Sequence, residues 1–151
     1  MNYKGYSILN ESKKSKDVTV IFLSARAKST KKDSNSMFIF EEAAKKAGIK
    51  MITVDPSSAS ISGNDGKHKI VDHSGGKNEY TVSPQNCVVF TRRTCLKNSE
   101  SKDFVCEMER LGYVMINSLD TMEICEDKFV TYKKLKAANI STPQTVVVSS
   151  S

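Results

Sequence analysis

SMFIFEEAAKKAGIKMITV, residues 36–54, changes its period part-way along. In the first half Met37, Phe40, Ala44 and Ala47 recur at helical spacing while Glu41, Glu42, Lys45 and Lys46 take the other face, which predicts an amphipathic helix. Gly48 ends it, because glycine takes the left-handed conformation after a helix without a Cβ penalty. Residues 49–54 (IKMITV) then predict a strand. Upstream, residues 18–23 (VTVIFL) are a nearly unbroken apolar run bounded by charge, as a strand covered on both faces reads. Strand, helix and strand make a β-α-β unit, whose crossover implies parallel strands.

Working outward, residues 56–84 carry Gly63, Gly66, Gly75 and Gly76 among Ser, Asn and Asp, with short β segments predicted at 69–72 and 79–82. A turn around Ser74, Gly75 and Gly76 makes this a β-hairpin excursion. Residues 87–91 (CVVFT) predict the next buried strand, which runs directly into Arg92 and Arg93. Phe104, Val105, Met108 and Leu111 mark a second helix closed by Gly112, and residues 113–116 a further strand. Asp120 then reads as an N-cap with Glu123 three residues on, and Leu119 and Ile124 as its hydrophobic staple. Three times, in KKAGIKMITV, ERLGYVMIN and KAANISTPQTVVV, a helix with a basic end stops at Gly48, Gly112 or Asn139, and a strand is expected after it; the third strand opens at Gln144. Alternating helices and buried strands predict a doubly wound α/β sheet.

The chain has 151 residues, enough for one ordinary core with a short extension. Its 38% hydrophobic and 26% charged content is that of a water-soluble globular protein. No apolar run reaches the roughly 18 residues of a membrane span, and residues 1–17 are polar and Lys-rich with no signal-peptide core, so a cytoplasmic protein without membrane partners is expected. The net charge of +6 raises nucleic acid as a partner. The lysines fall in short clusters without interleaved aromatics, which argues against it. Cys87, Cys95, Cys106 and Cys125 show no CxxC pair and no His at zinc-finger spacing, and are read as ordinary buried thiols.

Few residues carry chemistry by pattern alone. Loops at the carboxyl ends of such strands hold ligands, which draws attention to residues 24–35 with Arg26, and to Arg92 and Arg93. A guanidinium there can grip a carboxylate or phosphate bidentately, or serve as an ion-pair partner. Asp127 can cap a fresh helix, setting the Lys128 ammonium in a first turn with free backbone N–H groups, which suits a phosphate. The alternative is a surface lysine paired with Glu123, Glu126 or Asp127. His68, Asp72 and His73 could hold a metal only with a further ligand, and solvated histidines are the simpler reading. There is no P-loop, no GxGxxG and no nucleophilic triad.

In sequence and in order, TVDP (53–56), a glycine-bearing hairpin, VVFTRR (88–93), ERLGYVMINS (109–118) and EDKFVTYKKLKAANISTPQTVVV (126–148) resemble the N-terminal part of ATP-grasp ligases. The likeness points to the branch of the ribosomal-protein S6 glutamate ligase and glutathione synthetase-like enzymes. It implies a Rossmann-like pre-ATP-grasp domain with a mostly parallel sheet, helices on both faces and a β-hairpin excursion at residues 18–118. A polar arm at 1–17 would precede it, and the opening helix and strand of an ATP-grasp domain would follow at 119–151. The implied activity is carboxylate–amine ligation through an acyl phosphate, with ATP and Mg²⁺ as cofactors and an amino acid, peptide or protein as acceptor. Lys128 is the implied nucleotide-phosphate contact, and Arg92 and Arg93 the implied substrate contacts. The family's second ATP lysine, glycine-rich loop, adenine-binding strand and magnesium ligands would lie beyond residue 151, so the isolated chain is expected to be inactive. The alternative expectation is a non-catalytic binding or structural module that retains the pre-ATP-grasp fold.

Overall fold

A computed structural model describes residues 18–25, 35–92, 95–96, 98–146 and 148. The arm at 1–17, the loop residues 26–34 with Arg26, and Arg93 lie outside the described residues. In chain order the elements are β1 (Thr19–Leu23), α1 (Asn35–Lys46), β2 (Lys50–Val54), β3 (Ala59–Ser62), β4 (His68–Asp72), β5 (Asn78–Val82), β6 (Cys87–Thr91), α2 (Ser99–Arg110), β7 (Val114–Ile116), α3 (Leu119–Glu126) and α4 (Lys128–Ala137).

Two sheets result. One is four-stranded and parallel throughout, in the order β2-β1-β6-β7; the other is an antiparallel β3-β4-β5 meander. Register sorts the parallel sheet into faces: Ile21 lies beside Ile52 and Val89, and Leu23 beside Val54 and Thr91. These side chains share one face, because partners in a parallel ladder point the same way. That face is buried under Ile70 and Val82 of the small sheet and under Phe104, Val105 and Met108 of α2. The opposite face carries Phe22, with Phe40 of α1 and Phe90 of β6 around it at centroid distances of 5.3 to 5.4 Å. Helices therefore pack on both faces, α1 on one and α2 on the other.

The expected helix stops are present and share one geometry. Gly48, Gly112 and Asn139 all have positive φ, at 67°, 82° and 56°. In each case the next residue's N–H reaches five residues back: Ile49 to Ala44 O at 2.9 Å, Tyr113 to Met108 O at 3.1 Å and Ile140 to Leu135 O at 3.0 Å. With the i−3 bonds of Gly48, Gly112 and Asn139 these are Schellman closures, which satisfy carbonyls the helix end leaves open.

Several expectations are corrected. The strand at 144–148 does not form among the described residues: 141–146 and 148 have no strand assignment, and Val146 and Val148 are 74% and 86% exposed. A β-branched run has strand propensity, but without a neighbouring strand its backbone groups gain nothing from extension. The cap of α3 is Ser118, whose hydroxyl accepts from Thr121 N at 3.3 Å, not Asp120, and Leu119 is the first helical residue. Leu119 N is held by Glu109 Oε1 at 2.7 Å, so α2 fixes where α3 begins. β3 was not anticipated; its Ile61 gains strand character by pairing with Ile70. His68 is 5% exposed, so it is no solvated histidine. Its Nδ1 lies 2.9 Å from the hydroxyl of buried Tyr113, and burial pushes that phenol well above its usual range. Two of the four cysteines, Cys106 and Cys125, are exposed rather than buried, and all four are free thiols.

Candidate functional site

From β1 the chain moves by way of α1 to β2 on one side; after the meander it returns to the other side of β1 as β6, and continues to β7. Strand order thus reverses between β1 and β6. In open parallel sheets the crevice beyond the carboxyl ends at such a reversal is where ligands bind. The ends that meet there are Leu23 and Ser24 of the β1 segment, and Thr91 and Arg92 of the β6 segment, with Val54 and Asp55 next to them; Ser24 N donates to Val54 O at 3.0 Å.

A polar corner is built at this end. Asp72, the last residue of β4, is fully buried and accepts from Asp55 N at 3.1 Å, Ser58 Oγ at 3.2 Å and Ser74 N at 2.8 Å. Asp55, 6% exposed, accepts from Ser57 N and Ser57 Oγ at 3.0 and 2.6 Å. Such donors let a buried carboxylate stay in place of its water shell. The corner ties the end of β2 to the end of β4. Arg92 is half-buried at the end of β6, and its carbonyl accepts from Cys95 N at 3.0 Å and Cys95 Sγ at 2.7 Å. Burial, above all, pushes the Cys95 thiol up, and nearby Asp55 adds to it while Arg92 opposes it, so Cys95 is a poor thiolate source. The hydroxyls of Thr91 and Ser74 are buried with no hydrogen-bond partner among the described residues.

Lys128 stands elsewhere. Asp127 is the N-cap of α4, as the sequence predicts, and Lys128 is the first helical residue. The N–H groups of Phe129 and Val130 are not free, however: Asp127 Oδ1 accepts both, at 2.8 and 3.0 Å. Nor is Lys128 the paired surface lysine of the alternative reading, since it is exposed and forms no ion pair among the described residues. α4 is anchored to α3 by Thr131 Oγ1 donating to Ile124 O at 2.6 Å, and buries no residue of its own. Lys128 makes no bond to the Asp55–Asp72–Arg92 corner. Arg93 lies outside the described residues.

Sequence reasoning did not single out Asp55 or Thr91; it weighed Asp72 only as a metal ligand beside His68 and His73, and read Cys95 as a buried thiol, which it is. The signal for Asp72 was the period of two along β4: His68, Ile70 and Asp72 share parity, and all three are buried. His68 is committed to Tyr113 and Asp72 to its three donors, and among the described residues no three His, Cys, Asp or Glu gather as metal ligands. Among the described residues no helix is long and apolar enough to cross a membrane.

Thiol accessibility gives a direct check on this arrangement. Iodoacetamide on the native chain at neutral pH is expected to modify Cys106 and Cys125 and to spare Cys87 and Cys95, both buried with thiols pushed up by burial. Peptide mass mapping before and after denaturation reads this out, and native labelling of all four at similar rates would contradict the packing.

No protein-family model matches the chain, and no curated protein does either.

Proposed function

We propose that this chain is the N-terminal portion of an ATP-dependent carboxylate–amine ligase of the ATP-grasp type, working through an acyl phosphate. The observation that carries the reading is the order and capping of the last elements. A parallel sheet ending at β7 is followed by α3, then by Asp127 as N-cap and Lys128 as the first residue of a new helix. In this reading residues 18–118 are a Rossmann-like pre-ATP-grasp domain, and residues 119–151 open the nucleotide domain.

Lys128 is the candidate contact for nucleotide phosphates, because its exposed ammonium carries no ion pair among the described residues and a lysine binds phosphate as a compact point charge. Arg92, at the carboxyl end of β6, is the candidate to hold a carboxylate through its planar fork, and Arg93 remains the second candidate for that role. Mg²⁺ is held by one or two carboxylates together with substrate phosphates, and no step through the ion is assigned to this chain's residues. The amine and carboxylate substrates are those of an amino acid, peptide or protein acceptor, in the cytoplasm. A second reading, a non-catalytic module that keeps the same sheet, draws on the capping by Asp127, which takes two first-turn N–H groups that a phosphate would otherwise use.

The deciding experiment expresses the chain together with whatever coding sequence follows residue 151 in frame, and measures carboxylate-dependent ADP release with hydroxylamine present to trap an acyl phosphate. Lys128→Ala is expected to raise the KM for ATP at least about tenfold, roughly 1.4 kcal/mol. The same substitution should leave the thermal midpoint within about 1 °C, as an exposed side chain predicts. No carboxylate-dependent ADP release would remove the ligase reading. A large fall in thermal midpoint with unchanged ATP use would return Lys128 to a structural role.

A further inference from the structure

At the amino end of the parallel sheet, opposite to the Asp55–Arg92 corner, a cleft of about 240 Å³ opens. Its floor follows from strand register. Thr19 is the partner of both Lys50 and Cys87, so the first residues of β1, β2 and β6 form one row on the buried face of the sheet. The wall comes from the meander, with Lys67 ahead of β4 and Ser83 and Asn86 after β5. That wall is fixed to the floor, since Thr19 N donates to Asn86 O at 2.8 Å and Asn86 N to Ser83 O at 3.3 Å.

The chemistry of the lining is one-sided. Lys50 and Lys67 bring two ammonium groups, and neither has a carboxylate partner among the described residues. Thr19 adds a hydroxyl donor and Asn86 an amide, while the Ser83 hydroxyl donates to Gln85 Oε1. Among the described residues no acidic side chain lines the cleft. Two compact point charges with a single-point hydroxyl donor suit a tetrahedral dianion, whereas a planar carboxylate is matched best by the fork of an arginine, and none lines this cleft among the described residues. The volume is below the roughly 300 Å³ at which drug-sized ligand pockets begin, so the occupant is small.

We propose that this cleft binds a phosphate group, either free phosphate or that of a small phosphomonoester, through Lys50, Lys67, the hydroxyl of Thr19 and the amide of Asn86. The site is separate from the carboxyl-end corner and from Lys128, and stands whether or not the chain belongs to a ligase.

Inorganic phosphate is the probe, titrated into the ¹⁵N-labelled chain at constant ionic strength with chloride as the balancing anion. Saturable shifts of the Thr19, Ser83 and Asn86 amides are expected. Lys50→Gln with Lys67→Gln should weaken binding at least tenfold, and Lys67→Gln alone measurably, while spectral dispersion shows the fold intact. Lys133→Gln with Lys134→Gln removes the same charge from α4 and should leave binding unchanged. Non-saturable or absent shifts overturn the proposal, as does equal weakening by the α4 pair, which would mean diffuse charge attraction. Glycerol 3-phosphate run in parallel separates the two sources: tighter binding than phosphate identifies a monoester, equal or weaker binding free phosphate.

Discussion

Asp72→Ala is expected to cost about 3 kcal/mol and to lower the thermal midpoint by about 6–12 °C, at the 2–4 °C per kcal/mol of a domain this size. The size of the effect follows from what the carboxylate holds. It is fully buried and accepts from Asp55 N, Ser58 Oγ and Ser74 N, three donors on two separate segments. Alanine leaves the buried Asp55 N–H and the partly buried Ser74 N–H without that acceptor and removes one of the two acceptors of Ser58 Oγ, and the penalty for an unmet buried donor exceeds the net gain of the bond itself. Asp72→Asn keeps the shape but turns an amide N–H₂ towards donors, so it should lie between wild type and alanine. Hydrogen exchange at Asp55 and Ser74 should accelerate in both variants before global unfolding does. A midpoint shift below about 2 °C for Asp72→Ala would place it among ordinary surface substitutions and refute the bridging role.

The part of the fold legible in sequence was the part set by local pattern. VTVIFL, CVVFT and the helix stops at Gly48, Gly112 and Asn139 read correctly because burial and left-handed closure leave marks within a few residues. What failed depended on a distant partner. ASIS at residues 59–62 has a single large apolar residue and becomes a strand only through Ile61 beside Ile70. QTVVV has the propensity and, among the described residues, no partner. His68 looked solvated because the Tyr113 hydroxyl that accounts for its burial is 45 positions away. The start of α3 was misplaced by two residues, since Leu119 and Ile124 imitate a staple while Ser118 and Glu109 make the actual caps.

The candidate residues were legible to different degrees for the same reason. Asp127 and Lys128 were placed correctly at a helix start because capping is local. The first-turn N–H groups are not free as the sequence suggested, because the sequence does not tell which acceptor they take, and here it is Asp127 itself. The Asp55–Asp72 corner has no motif, since its two carboxylates are 17 positions apart and meet only when the meander folds onto the sheet.

Phe22→Ala should be as damaging as the loss of Asp72, by a different mechanism. Phe22 is 1% exposed in the middle of β1, and its ring stacks on Phe90 at 5.4 Å and meets Phe40 of α1 at 5.3 Å. Truncating a buried phenylalanine costs about 3–5 kcal/mol in lost transfer energy and residual cavity, which for this size corresponds to about 6–20 °C. Phe22→Leu keeps part of the volume and should recover roughly half of that loss. Phe38 on α1, 60% exposed, is the control: Phe38→Ser should change the midpoint little, within about 0.5 kcal/mol. Because Phe22 and Asp72 lie on opposite faces of the parallel sheet, their effects should add to within about 0.5 kcal/mol in the double variant. Urea unfolding of both single variants and the double measures this. A coupling above about 1 kcal/mol would mean that the aromatic face and the polar corner are linked through β1, and that loosening α1 is felt at the sheet end where Arg92 stands.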